Sequence, residues 1–181
     1  MKLYIVRHGE TDWNGTKQLQ GWTDMPLNAR GVEQAKKLKA QILAKGLDFD
    51  YCYSSPLKRV LETAKIVTDG KMEIRQDALL KERSFGTAEG RILNSWDELE
   101  EDIFDETLNS NIYGIEPIRD FQRRVELFLG KLRQKHTEDK KILIVTSGGT
   151  IKRALYTLTG DRQFISQDFH IKNCVLREIE I

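Results

Sequence analysis

Short apolar runs alternate along the chain with stretches that repeat apolar residues at helical spacing. Strand-like runs cover residues 2–7, 49–53, 141–146 and 171–181, with a weaker one at 73–76. Amphipathic helical patterns lie between them, at 28–45, from 55 onward, at 117–135 and at 147–160. Strands that alternate with helices predict a mainly parallel sheet covered on both faces, a three-layer α/β/α sandwich.

Helix boundaries are marked by capping residues. Asn28 is expected to cap the first long helix and Gly46 to end it. Ser55 followed by Pro56 predicts a second helix with a hydroxyl cap and proline at its first position. Residues 8–27 are predicted to form a loop, and Asn94 to Glu106 an acidic helix. We expect residues 90–117 to form a lid-like insertion in a single domain spanning residues 1–181.

Three of the predicted strands end in polar sequences. These are Arg7-His8-Gly9-Glu10, Ser54-Ser55-Pro56 and Ser147-Gly148-Gly149. Because ligands of open α/β sheets bind beyond the carboxyl ends of the strands, the three segments are expected to meet at one site.

His8 is the candidate nucleophile of that site. It leaves a buried strand beside Arg7, and Gly9 is expected to let a ligand approach the backbone closely. Imidazole attacks phosphorus to form a phosphohistidine, which divides one difficult displacement into two steps. The site would need cations for the phosphoryl oxygens and a proton donor for the leaving oxygen.

Arg59 and Glu82 are candidates for those two tasks. Arg59 falls in the first turn of the helix after Pro56, where free backbone N–H groups already favour an anion. Glu82 could act as the general acid, with Glu10 and Glu89 as nearby competitors.

Composition excludes several partners. The 181 residues carry a formal net charge of +1, so there is no global field to attract nucleic acid or an acidic membrane. The first apolar run is too short for a signal peptide or a spanning helix, and we expect a cytoplasmic protein. Cys52 and Cys174 lie in apolar runs and are expected to be buried free thiols.

The ordered motifs of the chain resemble the histidine phosphatase (phosphoglycerate mutase-like) superfamily, and its small phosphatase branch in particular. Arg7-His8-Gly9-Glu10-Thr11 is followed by Trp13-Asn14, Gln20-Gly21, Ser54-Ser55-Pro56-Leu57-Lys58-Arg59, Glu82-Arg83, Phe85-Gly86, Glu89-Gly90 and Val145-Thr146-Ser147-Gly148-Gly149-Thr150. The resemblance implies a phosphoglycerate mutase-like fold, with His8 as the phosphate-accepting nucleophile and Glu82 as the proton donor. It implies phosphoryl binding and substrate contacts by a further set of residues: Arg7, Asn14, Arg59, Gln20, Gly21, Arg83 and Gly148. It implies no metal and no cofactor.

Ser147 departs from the pattern, since the family carries a second histidine immediately before Gly-Gly. Serine cannot supply an imidazolium to the developing charge, and losing one preorganised donor costs about 3 kcal/mol, or roughly 10²–10³-fold in rate. Neither His136 nor His170 is an obvious replacement, and both are expected in surface or packing roles. Gln18 is a smaller departure, at a position where relatives commonly carry arginine.

The sequence therefore predicts a phosphomonoester hydrolase, weakened by Ser147, that acts on a small phosphorylated metabolite as a monomer or homodimer. A broad-specificity or α-ribazole-phosphate type is favoured. Phosphoglycerate mutase-type phosphotransfer and a non-catalytic phospho-ligand binding module stay open. A Rossmann-like nucleotide binder is disfavoured because neither GxGxxG nor a Walker lysine pattern is present.

Overall fold

A computed structural model describes residues 1–92, 113–166 and 168–181 and contains a five-stranded sheet flanked by helices. The strands are β1 (Lys2–Arg7), β2 (Tyr51–Ser54), β3 (Ile74–Gln76), β4 (Lys141–Thr146) and β5 (Leu176–Glu180). The helices are α1 (Asp12–Gly15), α2 (Ala29–Ala44), α3 (Lys58–Val67), α4 (Ile118–Lys135) and α5 (Gly148–Thr159), with 3-10 turns at Ala78–Leu80, Gly86–Ala88 and Arg162–Ile165.

The strand order across the sheet is β3-β2-β4-β1-β5. β1, β2, β3 and β4 run parallel, whereas β5 is antiparallel to β1. The register pairs Val6 with Val145 on one side and with Leu176 on the other. The mainly parallel sheet is therefore confirmed, with one antiparallel edge strand.

The two faces of the sheet have separate apolar cores because side chains alternate along each strand. In β1, Leu3 and Ile5 pack in the core under α4 and α5, and Tyr4 and Val6 pack in the core under α2 and α3. This arrangement confirms the three-layer α/β/α sandwich.

Helix α3 begins later than its sequence suggested. Its first residue is Lys58, its N-cap is Leu57, and no side chain of the cap residue bonds the helix. Instead, Asp24 of a distant loop accepts a hydrogen bond from the Lys58 N–H at 2.6 Å. The prediction of a Ser55 cap with Pro56 at the first helical position was wrong, because a tertiary contact supplies the acceptor.

The last strand is shorter than predicted. β5 starts at Leu176, and the residues from 170 to 175 cross the carboxyl end of β1 as a loop. Three hydrogen bonds hold this loop: Cys174 N–H to the Arg7 carbonyl at 3.0 Å, Asn173 Nδ2 to the His8 carbonyl at 2.7 Å, and Arg7 Nη1 to the Ile171 carbonyl at 2.6 Å. Cys174 adopts a positive φ of 51°, which interrupts the extended backbone.

One short helix lies within the segment predicted as a loop. Thr11 caps α1 by accepting from the Asn14 N–H, and the Asn14 side chain accepts from the Thr11 N–H in return. The predicted acidic helix from Asn94 to Glu106 lies outside the described residues, as does most of the expected lid-like insertion at 90–117.

Two further observations bear on the expectations from composition. Cys52 and Cys174 are buried free thiols, as predicted. In the part of the chain that the structure describes, the helices are too short or too polar to cross a membrane.

Candidate active site

The polar segments that follow β1 and β4 meet at a cavity of about 300 Å³, whereas Ser54-Ser55-Pro56 does not line it and only leads into α3, whose Arg59 does. β1 and β4 end side by side, and the His8 N–H donates to the Thr146 carbonyl at 2.9 Å. The cavity is lined by Arg7, His8, Asn14, Gln18, Leu19, Gln20, Gly21, Arg59, Glu82, Phe85, Gly148, Gly149, Lys152, His170 and Ile171. We call it the His8 cavity.

His8 is held by its own backbone neighbour. Its Nδ1 lies 2.7 Å from the Gly9 carbonyl oxygen, and the residue is only 3% exposed. A carbonyl oxygen can only accept a hydrogen bond, so Nδ1 carries the hydrogen. Nε2 is therefore left with its lone pair, which is the state that a nucleophile needs.

Burial keeps the imidazole of His8 uncharged. Loss of solvent lowers the pKa of His8 well below its usual 6.5, and the nearby charges of Arg59 and then Arg7 lower it further. The hydrogen bond to Gly9 acts in the opposite direction but is the smallest contribution. The ring is thus neutral at physiological pH.

Arg59 is a fully buried arginine in the first turn of α3. Its Nη1 donates to the Thr23 carbonyl at 2.8 Å and its Nη2 to the Gly21 carbonyl at 2.7 Å. Its buried Nε has no hydrogen-bond partner among the described residues. An unpaired buried donor of a cation is costly unless a ligand anion satisfies it.

Arg7 presents the same pattern from the end of β1. Its Nη1 donates a hydrogen bond to the Ile171 carbonyl, while its buried Nε has no hydrogen-bond partner in the described part of the chain. Burial lowers the pKa of the Arg7 guanidinium and Glu82 opposes that shift. A Cβ at Gly148 would lie 3.6 Å from Arg7 Nε, so Gly148 borders this donor directly.

Glu82 is the acidic residue on the cavity wall. One carboxylate oxygen accepts from the Arg83 N–H and the other from the Gly149 N–H, both at 2.9 Å. A Cβ at Gly149 would collide with the Glu82 carboxylate, so a side chain at 149 would displace that carboxylate from its present position.

The two competing carboxylates have other tasks. Glu89 accepts hydrogen bonds from the backbone N–H groups of Trp22, Thr23 and Phe85. Glu10 accepts from the Asn28 side chain at 3.2 Å and pairs with Arg30. Neither lines the His8 cavity.

The predicted phosphate-loop residues also reach the cavity. Asn14, Gln20 and Gly21 line it, and the buried Gln20 Oε1 has no partner among the described residues. Gly21 has a φ of 50°, and a side chain there would meet the Glu89 carboxylate.

Gly9 has a packing role that the sequence analysis did not predict. A Cβ at Gly9 would lie 2.5 Å from the Gly31 carbonyl oxygen, in the first turn of α2. The glycine permits close packing of α2 against the strand-end loop. Its predicted role in ligand approach does not follow from the structure.

Ser147 and Arg83 do not line the His8 cavity. Ser147 is 1% exposed, and its Oγ has no hydrogen-bond partner among the described residues. Arg83 lines an adjoining cavity, and its Nε donates to the Glu116 carbonyl at 2.7 Å. Their predicted roles stay predictions.

Lys152 and His170 are cavity residues that the sequence analysis did not select. Lys152 lies three residues after Gly149 in α5, and this helical spacing places both on one face, a signal that the sequence did contain. His170 arrives on the loop that crosses the end of β1, and nothing in its local sequence indicates that path.

Comparisons with known proteins agree with this geometry. The family model of the histidine phosphatase superfamily (branch 1) matches residues 3–181. The uncharacterized phosphatase PhoE of Bacillus subtilis is 35% identical over 178 residues, which cover 97% of this chain and 86% of that protein.

Solved structures give the same result. A mutant phosphoserine phosphatase from Entamoeba histolytica in complex with phosphoserine is 30% identical with a TM-score of 0.81, covering 98% of this chain and 89% of the other. A putative alpha-ribazole-5'-P phosphatase from Escherichia coli is 28% identical with a TM-score of 0.84, covering 100% of this chain and 91% of the other. The chain, with its buried histidine and two arginines at the sheet edge, belongs to the histidine phosphatase superfamily (branch 1).

Proposed function

We propose that this protein hydrolyses a small phosphorylated metabolite through a phosphohistidine on His8, at a rate reduced by Ser147. The observation that carries the proposal is the state of His8: buried, uncharged, and fixed through Nδ1 so that Nε2 is the free nitrogen. The unpaired Nε groups of Arg7 and Arg59 supply donors for a phosphoryl group.

In the first step, His8 Nε2 attacks phosphorus and the ester P–O bond breaks. The phosphoryl group moves to Nε2, and the leaving oxygen takes a proton from the Glu82 carboxyl group. Arg7, Arg59 and Lys152 offset the negative charge spread over the transferring oxygens. Phosphorylation at Nε2 leaves the ring as an imidazolium, which keeps its Nδ1 hydrogen bond to the Gly9 carbonyl.

In the second step, water attacks the phosphohistidine. Glu82, now a carboxylate, accepts a proton from that water, and the P–N bond breaks to release inorganic phosphate and neutral His8. The hydrogen bonds from the Arg83 and Gly149 N–H groups hold the carboxyl group in place through both steps. Fixed orientation of this kind is a large part of general acid–base catalysis.

Ser147 explains the expected low rate. Its side chain is recessed, so its hydroxyl is not part of the cavity wall where a longer imidazole would contribute a donor. Among the described residues that line the cavity, His170 and Lys152 are the ionisable side chains besides Arg7, His8, Arg59 and Glu82.

Phosphohistidine formation is the direct test. The wild-type protein is incubated with a ³²P-labelled phosphomonoester and quenched in alkali, in which phosphohistidine is stable. We expect acid-labile label on the wild-type chain and on a His136→Gln variant, and none on His8→Gln. Label that persists in His8→Gln would contradict the assignment of the nucleophile.

A phospho-ligand binding module is the second candidate, and the absence of a second imidazole at position 147 favours it. Such a module would bind inorganic phosphate or vanadate at the His8 cavity without labelling of His8. Mutase-type phosphotransfer would show as isomerisation of 3-phosphoglycerate without net release of phosphate.

A further inference from the structure

Glu89 binds the loop of residues 20–23, which we call the strap. Its Oε1 accepts hydrogen bonds from the N–H groups of Trp22 at 2.9 Å and Phe85 at 3.1 Å. Its Oε2 accepts from the Thr23 N–H at 2.8 Å and from the Thr23 hydroxyl at 2.5 Å. A carboxylate offers about four acceptor positions, so these bonds use the accepting capacity of Glu89.

The strap also contacts Arg59. The Nη2 of Arg59 donates to the Gly21 carbonyl at 2.7 Å, and its Nη1 donates to the Thr23 carbonyl at 2.8 Å. The Gly21 carbonyl and the Trp22 N–H belong to one trans peptide unit, in which they point in opposite directions. This peptide is therefore bonded at both ends, by Arg59 on one side and by Glu89 on the other.

The bond to Glu89 restrains the orientation of that peptide. Gly21 tolerates more backbone angles than any other residue would, so its own conformational preference does little to fix the peptide. Rotation would turn the Gly21 carbonyl away from Arg59 and leave a buried cationic donor without its acceptor, which is costly. The same rotation would remove the Trp22 N–H from Glu89, so the carboxylate opposes it.

The strap is connected to the acid of the site as well. Trp22 is 43% exposed, so burial of its ring gives the strap little support. Its indole N–H donates to the Glu82 carbonyl at 2.6 Å. Polar contacts centred on Glu89 therefore connect the guanidinium of Arg59 with the segment that carries Glu82.

The negative charge of Glu89 acts in the same direction. Burial lowers the pKa of the Arg59 guanidinium, and the carboxylates of Glu82, Asp24 and Glu89 oppose that shift. Hydrogen bonds in series polarise one another, so a charged acceptor on the Trp22 N–H strengthens the bond that the opposite carbonyl accepts from Arg59. A neutral side chain at position 89 would weaken this series.

We propose that Glu89 is a positioning residue for phosphoryl transfer, which acts through the Gly21–Trp22 peptide to fix the guanidinium of Arg59. The strap holds both Nη groups, so the buried Nε–H, which has no partner among the described residues, is the donor left for the phosphoryl group. The inference rests on the proposed function, since it takes Arg59 to bind that group. Glu89 itself does not line the His8 cavity.

Glu89→Gln tests the inference without a change in size. The amide nitrogen would face N–H donors in place of a carboxylate oxygen, so we expect the strap to shift. Misplacing one preorganised donor should raise the Kd for inorganic vanadate, measured by isothermal titration, at least about tenfold. A merely structural role would reduce the number of competent sites and leave the Kd of each site unchanged. Glu62→Gln, which alters the acceptor of the Leu27 N–H outside the strap, is the matched control and should not change the Kd.

A double-mutant cycle shows whether Glu89 acts through Arg59. In an Arg59→Met background, Glu89→Gln should change the vanadate Kd and kcat/KM for p-nitrophenyl phosphate less than about twofold, because the guanidinium is absent. Thr23→Val removes only the hydroxyl bond to Glu89 and serves as the milder variant if Glu89→Gln folds poorly. We expect it to raise the Kd about two- to fivefold, and Thr23→Ser, which keeps the hydroxyl, to leave it unchanged.

Vanadate binding separates this inference from the proposed function. A Kd that rises in Glu89→Gln only where Arg59 is present supports the positioning role even if no label forms on His8, a result that would refute only the proposed hydrolysis. A Kd in Glu89→Gln within about twofold of wild type would overturn the inference even if His8 is labelled, as would an equal rise with and without Arg59.

Discussion

At the scale of single residues, the chemistry of the site depends on which atoms are already bonded. The Gly9 carbonyl accepts a hydrogen bond from His8 Nδ1, and the Ile171 carbonyl accepts one from Arg7 Nη1. The Thr23 and Gly21 carbonyls accept hydrogen bonds from the two terminal nitrogens of Arg59. These bonds fix the side chains and leave His8 Nε2 and two Nε–H groups for a substrate. Preorganised groups of this kind need little rearrangement in the transition state.

Restoring an imidazole at position 147 should accelerate the reaction. Ser147→His is expected to raise kcat on a generic phosphomonoester at least tenfold, with a limit of roughly 10²–10³-fold from the worth of one preorganised donor. Steady-state kinetics measure the change, with Ser147→Asn as the size control. A gain as large in Ser147→Asn, or no gain in Ser147→His, would show that the missing imidazole does not limit the rate.

Glu82→Gln should lower kcat more for esters with poor leaving groups than for esters with good ones. An alkyl phosphate needs a proton on its leaving oxygen, so we expect its kcat to fall by about 10²–10⁴-fold, whereas p-nitrophenyl phosphate should lose much less. Glu10→Gln, a neighbouring carboxylate outside the cavity, is the matched control. An equal loss on both substrates would assign Glu82 to substrate binding and remove it as the proton donor.

At the scale of elements, the site depends on how closely α2 approaches the loop after β1. A Cβ at Gly31 would lie 2.1 Å from the Glu10 carbonyl oxygen, so the helix and the loop meet backbone to backbone. The same loop continues into the Thr11 cap of α1, which places Asn14 on the cavity wall. The packing of α2 against this loop therefore helps to set the positions of His8 and Asn14 on the wall of the His8 cavity.

Two helical glycines provide a matched pair for this contact. Gly31→Ala must displace backbone and is expected to destabilise the fold by about 1–3 kcal/mol, with a loss of activity. Gly130→Ala in α4 meets nothing within 4 Å and should stabilise it by up to about 1 kcal/mol through helix propensity. Urea unfolding measures both. Equal effects would mean that the α2 contact tolerates a methyl group.

At the scale of the whole molecule, burying an uncharged histidine links stability to pH. The pKa of His8 in the folded protein is well below 6.5, so the unfolded chain takes up a proton first as the pH falls. Stability from this source is complete above about pH 7.5 and declines as the pH drops below the unfolded value of about 6.5. His136, whose pKa is also lowered by burial, acts in the same direction.

His8→Gln should make the folding stability less dependent on pH. One histidine kept neutral contributes a slope of at most about 1.4 kcal/mol per pH unit, so between pH 7.5 and 5.5 we expect wild type to lose about 1 kcal/mol more than the variant. Urea unfolding at the two pH values measures the difference, with His136 present in both proteins. Identical slopes would contradict a neutral, buried His8.

The sequence by itself determined the layers and the position of His8 at the edge of the sheet. Apolar runs and helical spacing are local properties, and the carboxyl ends of parallel strands meet at one edge, so β1, β4 and α5 followed from pattern alone. Arg7, His8 and Arg59 could be selected because each lies within a few residues of a strand end.

Only the tertiary structure decided the rest, because the deciding partners are far apart in the chain. Asp24, rather than Ser55, accepts the hydrogen bond from the first N–H of α3, and Gly9 packs closely against α2. The backbone N–H groups of residues 22, 23 and 85 bond Glu89, so Glu82 is the acid on the cavity wall among the described residues. The loop bound to the end of β1 brings His170 to the His8 cavity, and residues of α4 and α5 together line the adjoining cavity. Apart from the bond between Phe85 and Glu89, these contacts join residues that are from about twenty to 165 positions apart, and local pattern carries no information about them.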